Sequence, residues 1–276
     1  MKVDFIIIGA MKAGTTSLYE VLKAHPDISF SKIKEAHFFS TTKNWEKDLP
    51  KYHKLFKEEE GKLYGEASPS YSAMPEFQNS AKIIHAYNPE MKIIYMVRNP
   101  IDRSISHYMH IFERGYTNLP IDEAFEKNPQ IVKSSCYFYQ VKPYLELFGK
   151  EQIFFIDFED YIKDRKRVLK ELSGFLEIDP EPLVNLKEIH ANRTVGGYKL
   201  HPRYDKLLHR VGPLVELWPS GLKLFIKRLL SNKKRVFKEK PRIKEQTKQK
   251  ILDAVKPEIP GLEKLLGKDL SNWIDL

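Results

Sequence analysis

The sequence predicts an α/β fold with three layers, in which a central, mostly parallel sheet is flanked by helices and followed by a helical C-terminal elaboration. Short β-branched apolar runs alternate with longer segments of helical periodicity through roughly the first 180 residues, as in parallel α/β domains. The first apolar run ends in a glycine-containing turn that opens onto a helix. With 276 residues and 42% hydrophobic content, the chain is long enough to bury one substantial core.

The individual elements follow from apolar periodicity and from breaker residues. Strands are predicted at Val3–Ile8, Lys62–Gly65, Lys92–Val97 and Gln152–Ile156. Helices are predicted between them, and most end at a Pro or Gly signal. The predicted helices are Thr15–Ala24, Phe77–Tyr87, Ile101–Arg114, Ser134–Phe148 and Tyr161–Leu176.

The region after about Pro180 is predicted to contain no strand. It is typical of a loop from Glu188 to Pro202 that is followed by basic helices. We therefore predict one domain over residues 1–276, with an α/β core over about 1–180 and a loop and basic helical elaboration over about 181–276.

The net charge of +9 is concentrated near the C-terminus, because Lys223–Lys250 carries 12 Lys or Arg and 2 Glu. One explanation of this basic stretch is a helical face exposed to solvent. The other is a docking strip for an anionic glycan, or a peripheral contact with an anionic membrane, through residues 223–250. No nucleic-acid motif accompanies the charge, so we expect no nucleic-acid partner.

The single cysteine, Cys136, excludes an internal disulfide and favours a reducing compartment. The apolar run Val3–Ile8 is too short for a signal peptide or a membrane span. We therefore expect a protein that stays in a reducing compartment.

The turn after the first strand points to a phosphate-bearing ligand. A glycine-rich turn at a helix N-terminus presents backbone N–H groups to anions. Gly9 and Gly14 have the spacing of the nucleotide-hydrolase pattern G-x-x-x-x-G-K-S/T. Thr15 stands where that pattern has its lysine, and the lysine is instead Lys12. A nucleotide kinase or NTPase is therefore a weakened alternative.

The loop resembles the 5′-phosphosulfate loop of sulfotransferases that use 3′-phosphoadenosine 5′-phosphosulfate (PAPS), in particular the heparan sulfate branch. The resemblance implies a P-loop-like fold, PAPS as sulfate donor, 3′-phosphoadenosine 5′-phosphate (PAP) as product, and no metal. It also implies a soluble, cytoplasmic, bacterial type without a membrane anchor, for which peripheral contact with the inner membrane stays open. The matching residues, which the resemblance assigns to the donor, are Lys12, Ala13, Gly14, Thr15, Thr16 and Ser17.

The segment Lys32–Phe39 resembles the Lys-x-x-Glu-x-His-Phe-Phe segment of relatives that sulfate polysaccharides. The resemblance makes Glu35 the general base, because a carboxylate near cations can accept the proton of an attacking hydroxyl or amine. His37 polarises the acceptor, tunes the Glu35 carboxylate, or packs against the aromatic pair. The alternative for Glu35 is a surface carboxylate that neutralises Lys32 and Lys34.

The segment Met96–His110 resembles the family's 3′-phosphate site. An arginine at a strand end can form two charge-assisted hydrogen bonds to a phosphate. Arg98 and Ser106 match the Arg and Ser that hold the 3′-phosphate. His110 lies one turn after Ser106 on the same helix face, where N-sulfotransferase relatives have a catalytic histidine. A structural histidine is the alternative.

Two further segments match the family less closely. Ala67 replaces a lysine that contacts acceptor or sulfate in many relatives, while Glu66 and Ser68 are expected to line the cleft. Near the predicted loop, a Gly-Gly-Tyr-Lys run resembles the family's element that covers the nucleotide. Its candidate donor-binding residues are Gly197, Tyr198 and Lys199.

Together these motifs predict transfer of a sulfuryl group from PAPS to a hydroxyl or amine, most favourably of a saccharide. Lys12 would stabilise charge on the departing 5′-phosphate, by analogy with phosphoryl transfer. The other classes kept open are a P-loop-type kinase or NTPase and a non-catalytic protein that binds an anionic glycan or a membrane.

Overall fold

The structure is a computed structural model of the 276-residue chain. It describes residues 1–186, 237 and 239–275, together with the backbone of the two strands Tyr198–Leu200 and Ser231–Arg235. Among these residues, no helix is both long and apolar enough to cross a bilayer.

A parallel five-stranded sheet forms the centre of the molecule, as predicted. Its strand order is β2-β3-β1-β4-β5. In the parallel register, Phe5 of β1 lies opposite Gly65 of β3 on one side and Lys92 of β4 on the other. The strands are β1 (Phe5–Gly9), β2 (Ile28–Phe30), β3 (Leu63–Ala67), β4 (Lys92–Val97) and β5 (Ile153–Asp157).

Helices connect the strands and cover the sheet, which confirms the predicted α/β class. From the N-terminus they are α1 (Thr15–Lys23), α2 (Phe38–Thr41), α3 (Trp45–His53), α4 (Ser80–Tyr87), α5 (Pro100–Glu113), α6 (Ile121–Lys127), α7 (Gln130–Lys133), α8 (Tyr137–Leu147), α9 (Phe158–Lys163), α10 (Arg165–Leu176), α11 (Glu181–Val184), α12 (Glu245–Val255) and α13 (Ile259–Leu266). Short 3-10 turns occupy Pro69–Ser72, Lys150–Gln152, Lys256–Glu258 and Ser271–Trp273.

The core is built on the two central strands, because every residue of β1 is buried and β4 is buried from Ile93 onward. A strand that is covered on both faces is expected to be apolar throughout rather than alternating. The C-terminal helices join the same core, since Ile251, Val255 and Leu262 belong to it.

The predicted helix Tyr161–Leu176 is two helices, and that prediction was wrong. The break is at Asp164, whose side chain accepts a hydrogen bond from the backbone N–H of Arg167 and so caps α10. Aspartate favours such N-cap positions because it satisfies an N–H group that has no partner within the helix.

The prediction that no strand follows Pro180 was also wrong. β6 (Tyr198–Leu200) pairs antiparallel with β7 (Ser231–Arg235), and Leu200 lies opposite Ser231. The apolar pattern could not reveal β7, because its sequence Ser-Asn-Lys-Lys-Arg contains no apolar residue. Most of the predicted loop from Glu188 to Pro202 lies outside the described residues.

Candidate active site

The candidate residues from distant parts of the sequence meet at the carboxyl edge of the sheet. Lys12 follows β1, Glu35 follows β2 and Arg98 follows β4. The chain leaves β1 toward β2 on one side and later reaches β4 on the other side of β1. Open α/β sheets bind ligands at this edge, where the direction of the connections reverses.

The turn before α1 has the geometry of an anion-binding loop. Gly14 is the N-cap residue with φ 99°, a conformation that favours glycine. A Cβ at Gly14 would lie 2.6 Å from Cδ2 of Phe158, so a side chain is excluded there. No side chain caps the first turn of α1, and such a helix end favours an anion. Ala13 and Thr15 are buried within the loop.

Lys12 lies in the turn with φ 69° and is surrounded by charges. Burial lowers the pKa of its ammonium, and the nearby cations Arg114 and Arg98 act in the same direction. The carboxylates of Glu113 and Glu35 oppose that shift. Lys12 is therefore close enough to interact electrostatically with Arg98, the candidate for binding the 3′-phosphate, and with Glu35, the candidate base.

Arg98 contacts the loop and retains a donor for a ligand. Its Nη1 donates a hydrogen bond of 3.4 Å to the carbonyl of Lys12. Its guanidinium lies 4.7 Å from the ring centroid of Phe158 and 3.9 Å from the carboxylate of Asp102. Among the described residues, Nε of Arg98 is buried without a hydrogen-bond partner. Since a buried donor without a partner is costly, this atom indicates a place for an acceptor group.

Tyr137 fixes the backbone from which the Arg98 side chain extends. Its hydroxyl accepts a hydrogen bond of 3.3 Å from the N–H of Arg98 and donates one of 2.6 Å to the Arg98 carbonyl. Tyr137 is fully buried. The end of β4 is therefore held rigidly, which favours a defined orientation of the guanidinium.

The backbone N–H of Glu35 donates a hydrogen bond of 3.2 Å to the carbonyl of Ala67, the last residue of β3. This bond holds Glu35 beside the end of that strand. Its Oε1 lies 2.9 Å from Nζ of Lys34, and its Oε2 lies 4.0 Å from Nε2 of His37. Burial raises the pKa of Glu35, but the charge and hydrogen bond of Lys34, with smaller contributions from His37 and His110, outweigh burial and lower it. The carboxylate is thus ionised at neutral pH, the state that a general base requires.

The two candidate histidines, His37 and His110, both lower the pKa of the Glu35 carboxylate. Nδ1 of His37 is 2.7 Å from Oγ of Ser70, and the His37 backbone N–H donates to Oγ of Ser68 at 3.0 Å. His110 lies on α5 and is close enough to contribute to the pKa of Glu35. The structure therefore brings both histidines to Glu35 from different elements.

Backbone strain is concentrated at the same residues. Among the described part of the chain, four non-glycine residues have positive φ: Lys12, Glu35, His37 and Glu177. Glu177 ends α10 as its C-cap, where a left-handed residue is common. The other three lie in the site loops, and such costly conformations collect at functional sites.

The remaining sequence-predicted residues take different positions. Ser106 is buried on α5, one turn before His110. Oγ of Ser17 lies 3.5 Å from the hydroxyl of Tyr161. Gly197 lies outside the described residues, and of Tyr198 and Lys199 only the backbone in β6 is described. β6 lies beside α5, which carries Ser106 and His110.

The expectation that Glu66 and Ser68 line the cleft was wrong, because both are fully buried. The Glu66 carboxylate accepts hydrogen bonds from Tyr52, Tyr71 and Ser68. Burial raises the pKa of Glu66, although these hydroxyls oppose the shift. Glu66 therefore supports Ser68, and through it the His37 loop, from beneath the site.

A buried arginine under the anion loop was not predicted from the sequence. Arg103 is completely buried, and its Nη1 donates to the carbonyl of Met11 at 3.3 Å and lies 3.2 Å from Nδ1 of His107. Its Nε donates to Oγ of Ser135 at 2.6 Å. An Arg three residues before Ser106 and seven before His110, on the same face of the helix as these candidates, was the available signal.

The sulfotransferase domain model matches residues 2–196 of this chain. The chain belongs to the sulfotransferase domain family. The match contains both the anion loop and the Arg98 segment, so the residues that meet at the carboxyl edge all lie within the sulfotransferase domain.

Curated relatives of this sulfotransferase domain include heparan sulfate glucosamine 3-O-sulfotransferase 6 of Homo sapiens, which is 28% identical over 204 residues, or 69% of this chain and 56% of the relative. Heparan sulfate glucosamine 3-O-sulfotransferase 5 of Mus musculus is 28% identical over 208 residues, or 71% of this chain and 58% of the relative. The aligned region therefore spans little more than half the length of these relatives.

A solved sulfotransferase from Alicyclobacillus acidocaldarius matches the whole chain with a TM-score of 0.69 and 24% identity, and the alignment covers 100% of both chains. Mouse sulfotransferase SULT7A1, solved with PAP, matches with a TM-score of 0.50 and 16% identity over 94% of this chain and 85% of that one. At these identities the likeness shows the shared P-loop-like α/β fold of the sulfotransferase domain.

Proposed function

We propose that this protein transfers a sulfuryl group from PAPS to a hydroxyl or amine of an acceptor, most favourably a saccharide. The observation that carries the proposal is the buried Nε of Arg98, which lacks a partner among the described residues and belongs to a side chain that contacts the Lys12 loop. A nucleotide with phosphates on the 3′ and 5′ positions of its ribose presents hydrogen-bond acceptors both to Arg98 and to the Lys12 loop.

The residues at the carboxyl edge fit such a donor. Lys12, Ala13, Gly14, Thr15, Thr16 and Ser17 would hold the 5′-phosphosulfate, since the loop combines a cation with an uncapped helix end. Arg98 and Ser106 would hold the 3′-phosphate. Gly197, Tyr198 and Lys199 would cover the nucleotide.

The proposed step depends on positioning and on electrostatic stabilisation by this chain. When bound, the donor supplies an activated sulfuryl group for attack by the acceptor oxygen or nitrogen. Glu35 takes the proton of that atom on its carboxylate, while His37 and His110 orient the carboxylate and the acceptor. Lys12 and the N-terminus of α1 stabilise the negative charge left on the 5′-phosphate. The step assigns no role to a metal.

A glycan acceptor is supported by two separate observations. The curated relatives are named as heparan sulfate glucosamine 3-O-sulfotransferases. The Glu35–His37 segment of this chain also has the sequence pattern of relatives that sulfate polysaccharides. The family assignment does not favour the two alternatives, a kinase or NTPase and a non-catalytic binding protein.

We further propose a bacterial, cytoplasmic protein, in which residues 223–250 meet an anionic glycan or the inner membrane surface. The single cysteine supports a reducing compartment, and burial raises the pKa of the Cys136 thiol to about 11, so it is unreactive at neutral pH. The basic composition of Lys223–Lys250 supports the anionic contact.

Transfer of ³⁵S from labelled PAPS to a panel of glycans, lipids and phenols tests the function. We expect labelling of a glycan that persists in EDTA, and no magnesium-dependent ATP turnover. Magnesium-dependent ATP hydrolysis without sulfation of any acceptor would contradict the proposal. Glycan binding that is salt-sensitive and survives loss of Lys12 and Glu35, without sulfation, would favour the binding-protein alternative.

A further inference from the structure

Lys34 contacts both the anion loop and the Glu35 carboxylate, to which the proposed function gives separate roles. Its Nζ lies 3.0 Å from Oγ1 of Thr16, in the first turn of α1, and 2.9 Å from Oε1 of Glu35. The same ammonium lies 5.7 Å from the ring centroid of Tyr19. The ammonium therefore spans the gap between the anion loop and the carboxylate.

The Lys34 side chain is partly buried and its ammonium makes two polar contacts. Only 28% of the Lys34 side chain is exposed, against 39% of the Glu35 side chain. An ammonium has three donors, and the hydroxyl and the carboxylate take two of them. Lys32, two residues earlier, is exposed and reaches only the Lys54 carbonyl at 3.4 Å.

We propose that Lys34 is a positioning residue that couples donor binding to the base, because its ammonium is shared between the anion loop at Thr16 and the Glu35 carboxylate. This inference rests on the proposed function. An anion at the N-terminus of α1 competes with Glu35 for the same ammonium. Without a donor the lysine holds Glu35 as a paired carboxylate; with a donor the pair loosens and Glu35 becomes a stronger base.

Other charged groups also face Glu35. His37 lies on its own segment, His110 lies on α5, and Lys12 lies on the loop after β1. Of the groups that lower the pKa of Glu35, Lys34 contributes most, through both its charge and its hydrogen bond. Removing Lys34 is therefore the change that isolates the coupling, since the two histidines and Lys12 remain.

Two measurements on Lys34→Met test the coupling without relying on turnover. In ¹³C NMR of carboxyl-labelled glutamate, with the Glu35 signal assigned by its absence from Glu35→Gln, we expect Glu35 to titrate at higher pH than in the wild type. By calorimetry we expect PAPS affinity to fall roughly tenfold or more, the effect of losing a charge-assisted hydrogen bond. PAP affinity should fall less, because PAP lacks the sulfuryl group that is transferred.

The controls separate charge from packing. Lys34→Arg keeps the positive charge and should restore much of the wild-type titration, whereas Lys32→Met should match the wild type in both measurements. If Lys34→Met melts below the assay temperature, Lys34→Gln replaces it. A folded Lys34 variant with the wild-type titration of Glu35 and wild-type preference for PAPS over PAP overturns the inference. Failure of the wild type to bind either nucleotide contradicts instead the proposed function.

Discussion

The amino and carboxyl edges of the central sheet both carry charged residues, but these residues differ in how their polar atoms are paired. At the amino edge, a cavity of about 520 Å³ is lined by charged residues that include Asp4, Lys92 and Glu177. These three residues have protein partners, since Lys92 lies 2.8 Å from Glu177 and the Asp4 carboxylate accepts the N–H of Tyr64 at 2.7 Å. At the carboxyl edge, Arg98 keeps a buried donor without a partner in the described part of the chain.

A buried donor without a partner among the described residues therefore characterises the carboxyl edge better than the size of a cavity does. Both edges contain a left-handed non-glycine residue, but Glu177 simply ends a helix. Lys12 and Glu35 adopt the same strained conformation inside the site loops. Strain and an unsatisfied donor thus coincide at the edge where we propose that the sulfate donor binds.

The largest expected difference between the edges is catalytic. Glu35→Gln should reduce turnover by roughly 10²–10⁴, the usual contribution of general acid–base catalysis, and leave PAP affinity near the wild-type value. Glu177→Gln, at the amino edge, should leave turnover unchanged. Steady-state sulfation assays on both variants check this, and wild-type turnover by Glu35→Gln would remove this carboxylate from the mechanism.

The next difference is in nucleotide recognition. Arg98→Ala should weaken PAP binding by about tenfold or more, because it removes charge-assisted hydrogen bonds to the 3′-phosphate, and should affect adenosine 5′-phosphate far less. Lys92→Ala removes a cation from the amino edge and should change neither affinity. Calorimetry with the two nucleotides measures the effect. Equal losses for both nucleotides would show that Arg98 does not read the 3′ group.

Two glycines with positive φ allow a matched test of the loop. Gly61 lines the amino-edge cavity with φ 74°, and a Cβ added there would meet no atom within 4 Å. Gly61→Ala should therefore cost only the left-handed conformation, about 1–2 kcal/mol. Gly14→Ala adds the clash with Phe158 and should cost more, and it should abolish thermal stabilisation by PAP. Urea unfolding and melting with PAP measure both quantities. Equal unfolding costs with retained PAP stabilisation would contradict this role of the loop.

The smallest expected effect is on pH-dependent stability. Burial lowers the pKa of His107 well below its ordinary value, and Arg103, His110 and Lys12 act in the same direction. The unfolded chain therefore binds a proton that the folded protein does not, so stability falls as pH drops below about 6.5. The wild type should lose up to about 1.4 kcal/mol per pH unit more than His107→Gln. Parallel urea titrations at pH 7.5 and 5.0 that show equal losses would refute this.

Much of this site could be predicted from the sequence, because its residues follow strands. Apolar runs located β1, β4 and β5, and the residues after parallel strands meet at one edge. Lys12 and Arg98 could therefore be assigned to a shared edge from the sequence alone, whereas Glu35 follows β2, which was not among the predicted strands. Their roles came from the family resemblance and stay proposals.

The rest could not be predicted, for local reasons. The Asp164 cap divides a segment whose apolar periodicity continues across the break. Glutamate is a residue type usually found at the surface, but Glu66 is buried because the hydroxyls of Tyr52, Tyr71 and Ser68 donate hydrogen bonds to its carboxyl group. The contact of Lys34 with Thr16 joins residues from two loops, and no spacing rule relates them.

Calorimetric titration of the wild-type protein with PAP tests most directly whether the carboxyl edge holds this nucleotide. We predict saturable binding of one nucleotide per chain, weakened about tenfold or more in Arg98→Ala and unchanged in Lys92→Ala and Glu35→Gln. A folded wild-type protein that takes up no PAP, or an Arg98→Ala variant that binds it as tightly as the wild type, would contradict this claim.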